Sequence, residues 1–214
     1  SVFDVHRETT GFEKTFLDGN ASVELRLPFF QARSDGSGDQ SEIGDLTTVL
    51  KWAFVNEPDL VLSTGLVVTA PTGPRPYFVV FEDNSLQKVH PVLLQPYVGY
   101  YWGTGNFFVH GFNSVVVPTD SRDVTALFSD LGVGYRFDIN AGPLSALVPT
   151  LEAHVTTPLT HRDADDFPQF FDAVNLLAGC HFVLGDRASL GTAVAVPVTG
   201  PKPFQLEALV NFNL

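Results

Sequence analysis

From Phe204 to Leu214 the chain alternates without a break. Phe204, Leu206, Ala208, Val210, Phe212 and Leu214 share one phase, and Gln205, Glu207, Leu209, Asn211 and Asn213 the other. A period of two sends the two sets to opposite faces of a β-strand. The same alternation recurs along nearly the whole chain. It predicts about eleven strands, bounded by Gly, Pro, Asn and Asp clusters: residues 9–17, 21–31, 43–55, 60–70, 92–102, 107–117, 126–137, 145–157, 172–184, 188–198 and 204–214. No segment carries helical periodicity. No run of ~18 apolar residues offers a transmembrane helix.

The two phases differ in charge as well as in hydropathy. Over 43–55, Leu46, Thr48, Leu50, Trp52 and Phe54 oppose Asp45, Thr47, Val49, Lys51 and Ala53. Over 126–137, Leu131, Val133, Tyr135 and Phe137 oppose Asp130, Gly132, Gly134 and Arg136. Over 145–157, Leu147, Pro149, Leu151, Ala153 and Val155 oppose Thr150, Glu152, His154 and Thr156. Over 21–31, Val23, Leu25 and Leu27 oppose Glu24 and Arg26. Every charge in these strands avoids the apolar phase. A Lys or Arg facing lipid costs ~2–4 kcal/mol at the bilayer midplane. The segregation therefore points to an all-β, antiparallel, up-and-down transmembrane barrel with its apolar phase outward.

The connections alternate in length. Short ones fall at 18–20, 56–59, 103–106, 138–143 and 185–187; longer ones at 32–42, 71–91, 118–125, 158–171 and, more briefly, 199–203. Outer-membrane barrels have short periplasmic turns and longer external loops, whereas a soluble sandwich has no reason to sort loops by parity. If the last strand ends in the periplasm, counting back makes the strand at 9–17 begin outside. Bacterial barrels begin inside and have an even strand count. The expectation is thus one barrel domain over 1–214 that lacks an N-terminal strand, with about twelve strands when intact. Pro28 and Pro96 make their strands the ones most open to revision.

Aromatic residues gather near the short-turn end: Trp52 and Phe54, Tyr100 and Trp102, Tyr135 and Phe137, Phe182 and Phe212. Such rings favour the headgroup interface, and these eight are expected to form an interfacial girdle.

The formal net charge of −12 over 214 residues argues against nucleic acid, which calls for a basic face. The one cysteine, Cys180, excludes an internal disulfide and falls on the apolar phase of its strand. Enzyme motifs are missing: there is no G-x-S-x-G, P-loop, H-E-x-x-H or paired C-x-x-C. His110 and Ser114 share a strand phase, but spacing supplies no third partner for catalysis. The segment from His161 to Asp166 is acidic yet lacks the EF-hand pattern, so no metal or cofactor is expected. Residues 71–91 contain their own apolar stretch, Tyr77 to Phe81, readable as a hairpin arm, a plug or a partner-binding patch.

With the apolar phase outward, Glu24, Arg26, Asp45, Lys51, Asp130, Arg136, Glu152, His154, His181 and Glu207 are the candidate lumen residues. Two readings stand open for them. One is a structural network of ion pairs and water; the other is a polar pathway whose charges select solutes.

The run from Gly44 to Phe54 (GDLTTVLKWAF), followed by Leu62 to Gly73 (LSTGLVVTAPTG), resembles the outer-membrane barrel family labelled as phenol-degradation (MetA-pathway) proteins. Val23 to Pro28 and Leu131 to Phe137 are also similar, and the resemblance spans most of the chain. It implies an outer-membrane barrel and transport linked to aromatic breakdown, and supplies no catalytic residues. One departure is Leu214, where such barrels more often end in an aromatic residue.

The expected function is a passive channel or transporter for small solutes, among them small aromatic or hydrophobic compounds, in the outer membrane of a Gram-negative-type bacterium. Its partners would be the lipid bilayer, the solutes and the barrel-assembly machinery. Two alternatives are a non-conducting structural or adhesive barrel acting through the loops at 71–91 and 158–171, and a soluble lipocalin-like barrel with its apolar phase inward.

Overall fold

A computed structural model describes residues 3–34, 37–74, 78–82, 85–163, 169–185, 188–200 and 204–214. Among these the chain forms fifteen β-strands and one 3-10 turn, Leu17–Gly19. The strands are β1 (Phe3–Phe16), β2 (Ala21–Ser34), β3 (Ser37–Ile43), β4 (Leu46–Glu57), β5 (Leu60–Ala70), β6 (Phe78–Glu82), β7 (Ser85–Val89) and β8 (Leu93–Thr104). They continue with β9 (Phe107–Pro118), β10 (Ala126–Tyr135), β11 (Phe137–Ala141), β12 (Leu144–Pro158), β13 (Ala173–Leu184), β14 (Ala188–Thr199) and β15 (Glu207–Asn213). The main ladder runs β1-β2-β4-β5-β8-β9-β10-β12-β13-β14-β15, so strands pair in chain order; β3 pairs β2, β11 pairs β12, and β6 with β7 form a separate hairpin.

All eleven expected strands are present. The differences have local causes. The connection at 32–42 is largely a hairpin of β2 and β3, and the one at 71–91 contains the β6–β7 hairpin. The strand expected at 126–137 stops at Tyr135. Arg136 leaves the ladder, its N–H bonding the Asn106 carbonyl at 2.8 Å, and β11 resumes with a bulge between Asp138 and Ala141. The last strand begins at Glu207, not at Phe204.

The chain groups into two compact units: residues 1–53, 64–97 and 116–125, and residues 54–63, 98–115 and 126–214. In the first, β1 and β2 pair without a register shift from Phe3↔Ser34 to Phe16↔Ala21. Their turn places Leu17, Asp18 and Gly19 at positive φ of 52°, 54° and 89°. β2 pairs β4 from Ala21 to Arg26 and β3 from Phe29 onward. The change of partner falls at Leu27–Pro28. Proline has no N–H to give a ladder, so Pro28 sits between the stretch that pairs β4 and the stretch that pairs β3, and its carbonyl accepts from Gly44 N at 2.8 Å.

In the second unit, β10, β12, β13, β14 and β15 pair antiparallel. Directly opposed residues share a face, so the registers test the phases. Leu131↔Ala153, Val133↔Leu151, Leu151↔Ala178 and Ala178↔Val194 form one apolar face; Asp130↔His154, Gly132↔Glu152 and His181↔Gly191 belong to the other.

Accessibility follows the same division. Leu50, Trp52, Phe54, Leu131, Leu151 and Val194 are exposed, Leu151 by 56% and Trp52 by 55%. The buried apolar residues among those described are small: Val49, Val89, Ala126, Ala146 and Ala195. Large apolar groups outside and small ones inside invert the usual distribution of a water-soluble domain. One refinement concerns β1. Lys14 opposes Val23 and Glu8 opposes Phe29, so these two charges share the apolar phase.

Close packing on the sheet rests on glycine at one position above others. A methyl group at Gly65 would overlap the Leu50 carbonyl and the Tyr97 ring. A carbonyl in a ladder cannot step aside as a flexible side chain can. Gly65→Ala is expected to cost about 1–3 kcal/mol by overpacking, read as a lower urea midpoint in detergent micelles.

Candidate functional site

In the first unit, the polar face of β1, β2 and β4 gathers four charges. Glu13 and Glu24 are directly opposed in register, a pairing of like charges that is unfavourable on its own. Lys51 resolves it. Its Nζ lies 3.1 Å from Glu13 Oε1 and 2.6 Å from Glu24 Oε2. Arg26 adds two bonds to Glu24, Nε at 2.6 Å and Nη2 at 2.8 Å. Ser22 Oγ donates to Glu13 Oε1 at 2.5 Å. Three of the candidates named from sequence, Glu24, Arg26 and Lys51, thus form one group. Glu13 is the member that sequence reasoning missed. Its signal was the phase Gly11, Glu13, Thr15 against Phe12 and Phe16, obscured by Lys14 on the apolar side.

Asp45 lies elsewhere. Its Oδ1 accepts from Gly73 N at 2.8 Å, and His90 Nε2 sits 2.9 and 2.8 Å from its two oxygens. Thr72 Oγ1 accepts from Leu46 N at 2.8 Å. One carboxylate thereby holds both ends of the segment that contains β6 and β7. Asp45→Ala removes the acceptor from both feet, and faster tryptic cleavage after Lys88 is the expected result, monitored by mass spectrometry of the fragments. Unchanged cleavage would leave the anchoring to other contacts. In the nearby 119–125 connection, Arg122 bonds Asp120 through side chain and backbone, holding the Asp120 carboxyl down at about 2.

In the second unit, the polar face of β9, β10, β12 and β13 gathers carboxylates and imidazoles. His154 stands between two acids, Nδ1 3.0 Å from Asp130 Oδ1 and Nε2 3.1 Å from Glu152 Oε2. His110 Nε2 is 3.9 Å from Glu152 Oε1. Its ring occupies the space over Gly132, where any side chain would collide with it. His181 lies over Gly191 and within electrostatic reach of Glu152. Phe108 lies between Tyr101, on which it stacks at a centroid distance of 5.5 Å, and His110, to which it is tilted at 5.8 Å. Asp130, Glu152, His154 and His181 were expected from phase; His110 joins them from β9.

Arg136 and Glu207 stand apart from both groups. Arg136 Nε bonds Asp138 Oδ1 at 2.8 Å, and Glu207 is exposed opposite Ala195. His110 and Ser114, four strand residues apart, are separated by roughly 13 Å of rise, too far for a nucleophile and its base. Among the described residues no group of three or more His, Cys, Asp or Glu is placed to hold a metal ion.

The aromatic residues expected at the interface sit mainly on the apolar face. Trp52, Phe54, Trp102, Tyr135, Phe137 and Phe212 are exposed, and the Tyr135 and Phe137 rings lie 4.7 Å apart. Tyr100 is half-buried over Gly111, and Phe182 is half-buried opposite Leu190.

Comparison with protein-family models and with curated proteins gives no match. Among solved structures, the chain is similar to the COG4313 outer membrane channel from Pseudomonas putida F1, with a TM-score of 0.65 and 17% sequence identity over 97% of this chain and 81% of that one. The likeness shows the fold: an antiparallel, up-and-down β-barrel.

Proposed function

We propose that this chain is an outer-membrane β-barrel that serves as a passive channel for small solutes. One observation carries the reading: in the same strands, large apolar side chains are exposed on one face while the ion-paired and imidazole groups occupy the other. Water would need the reverse. A bilayer around the strands and an aqueous lumen within them account for both faces at once. The fold shared with an outer membrane channel supports the same conclusion. Lipid contacts the exposed apolar face, and insertion would pass through the barrel-assembly machinery that such proteins require.

Glu13, Glu24, Arg26, Lys51, Asp130, Glu152 and the histidines then line the polar side and bias which charges pass. The Tyr101–Phe108–His110 row suits flat, weakly polar solutes, which supports small aromatic compounds as the solute class. A soluble lipocalin-like barrel would need its apolar phase inward, opposite to the exposure of Leu50, Leu131 and Leu151.

The test is expression with a signal peptide, membrane fractionation, gel mobility with and without boiling, and then planar-bilayer recording. Outer-membrane recovery, a heat-dependent shift and discrete conductance steps are expected. A soluble product without a shift would overturn the membrane assignment. A heat-modifiable barrel without current would overturn conduction alone, in favour of a structural or adhesive barrel.

A further inference from the structure

The two polar groups differ in what neutralises their carboxylates. In the first unit Glu13 and Glu24 face Lys51 and Arg26, two acids against two cations that keep their protons at any ordinary pH. In the second unit Asp130 and Glu152 face imidazoles only. Every element packed there agrees. β10 presents Asp130, β12 presents Glu152 and His154, β9 presents His110, and β13 presents Asn175 and His181. Tyr101 from β8 closes the row beside Phe108. None of these is a lysine or arginine.

We propose that this imidazole–carboxylate group is the charge-selecting site of the channel, and that its sign is set by protons. The inference rests on the channel reading above. With His154 charged between its two carboxylates and His110 and His181 neutral the group carries −1, and small cations are favoured. With all three protonated it carries +1, and anions are favoured. Histidine is the side chain whose ordinary titration falls between about pH 5 and 8. His154 supplies the fixed cation of the group, since each ring nitrogen addresses one carboxylate at 3.0 and 3.1 Å in a charge-assisted bond; the change of sign falls to His110 and His181. His110 is fixed by Phe108 on one side and by the bare backbone of Gly132 beneath it, which holds its Nε2 towards Glu152.

The experiment is the reversal potential of the full chain in planar phosphatidylcholine bilayers under a KCl gradient, at about pH 8 and about pH 5. The wild type is expected to prefer K⁺ at the higher pH and to shift towards Cl⁻ at the lower. The double variant His110→Asn/His181→Asn should lose most of that shift and keep its K⁺ preference. If the double variant fails to give a heat-modifiable band, Glu152→Gln substitutes for it, and a weakened K⁺ preference at the higher pH is then expected. Currents whose reversal potential is the same at both pH values would overturn the inference and leave the channel reading standing. A double variant that shifts as far as the wild type would also overturn it. A folded barrel without current would overturn both.

Discussion

Leu151→Arg is expected to be among the most damaging single changes in this chain, although Leu151 is more than half exposed. It stands at the centre of β12, opposed by Val133 on one side and Ala178 on the other, in the middle of the apolar face. In water an exposed leucine exchanges for arginine within ~0.5 kcal/mol. At the midplane of a bilayer the same exchange costs ~2–4 kcal/mol. Unfolding of the reconstituted barrel in urea, followed by gel mobility, separates the two. Glu152→Gln, one residue further along and on the opposite face, serves as a comparison that changes charge without touching lipid. Equal stability of Leu151→Arg and wild type would remove the physical basis of the membrane assignment.

Lys51→Met is expected to destabilise by about 1–2 kcal/mol, between the values for surface and buried pairs, because the ion pairs it breaks are only partly screened. The side chains of Lys51 and Glu24 are 31% and 14% exposed. Without the ammonium, Glu13 and Glu24 face each other across the β1–β2 ladder, and Arg26 compensates Glu24 alone. The loss should be recovered in large part by adding Glu13→Gln, which removes the repulsion rather than restoring the cation. A double-mutant cycle on urea midpoints measures this coupling. Additive losses would mean that Lys51 acts through its hydrocarbon stem and not through its charge.

The architecture was legible because a period of two is a direct consequence of strand geometry, and loop parity added direction. Strand positions and the face of Leu50 followed from counting, as did the placing of Glu24, Arg26 and Lys51 on one phase; that these three meet did not. What counting missed was pairing. Glu13 belongs with Glu24 because β1 aligns with β2 in one register out of several, and Lys14 on the wrong phase hid that register. Asp45 has the phase of Lys51 but ends at the loop-clamping contacts of His90 and Gly73, since a strand's first residue can turn to whatever lies beyond the ladder. His110 joins Glu152 only because β9 and β12 flank β10, whose Gly132 leaves the space between them empty. The β2–β3 hairpin was invisible because Ser34 to Gln40 reads as turn composition while its backbone still pairs.

The length of β1 and β2 has a further consequence. Each is a strand of 14 residues, roughly 46 Å of rise at 3.3 Å per residue, against an apolar band about 25 Å tall. Even tilted, such a ribbon outreaches the hydrocarbon. The half beyond Pro28, where β2 abandons β4 for β3, holds His6, Glu8 and Gln31, the residues least suited to lipid. Lys14, at the other end, is within reach of the opposite headgroups. In a bilayer the distal half of this ribbon would stand clear of the hydrocarbon, held together by its own backbone pairing with β3 rather than by lipid.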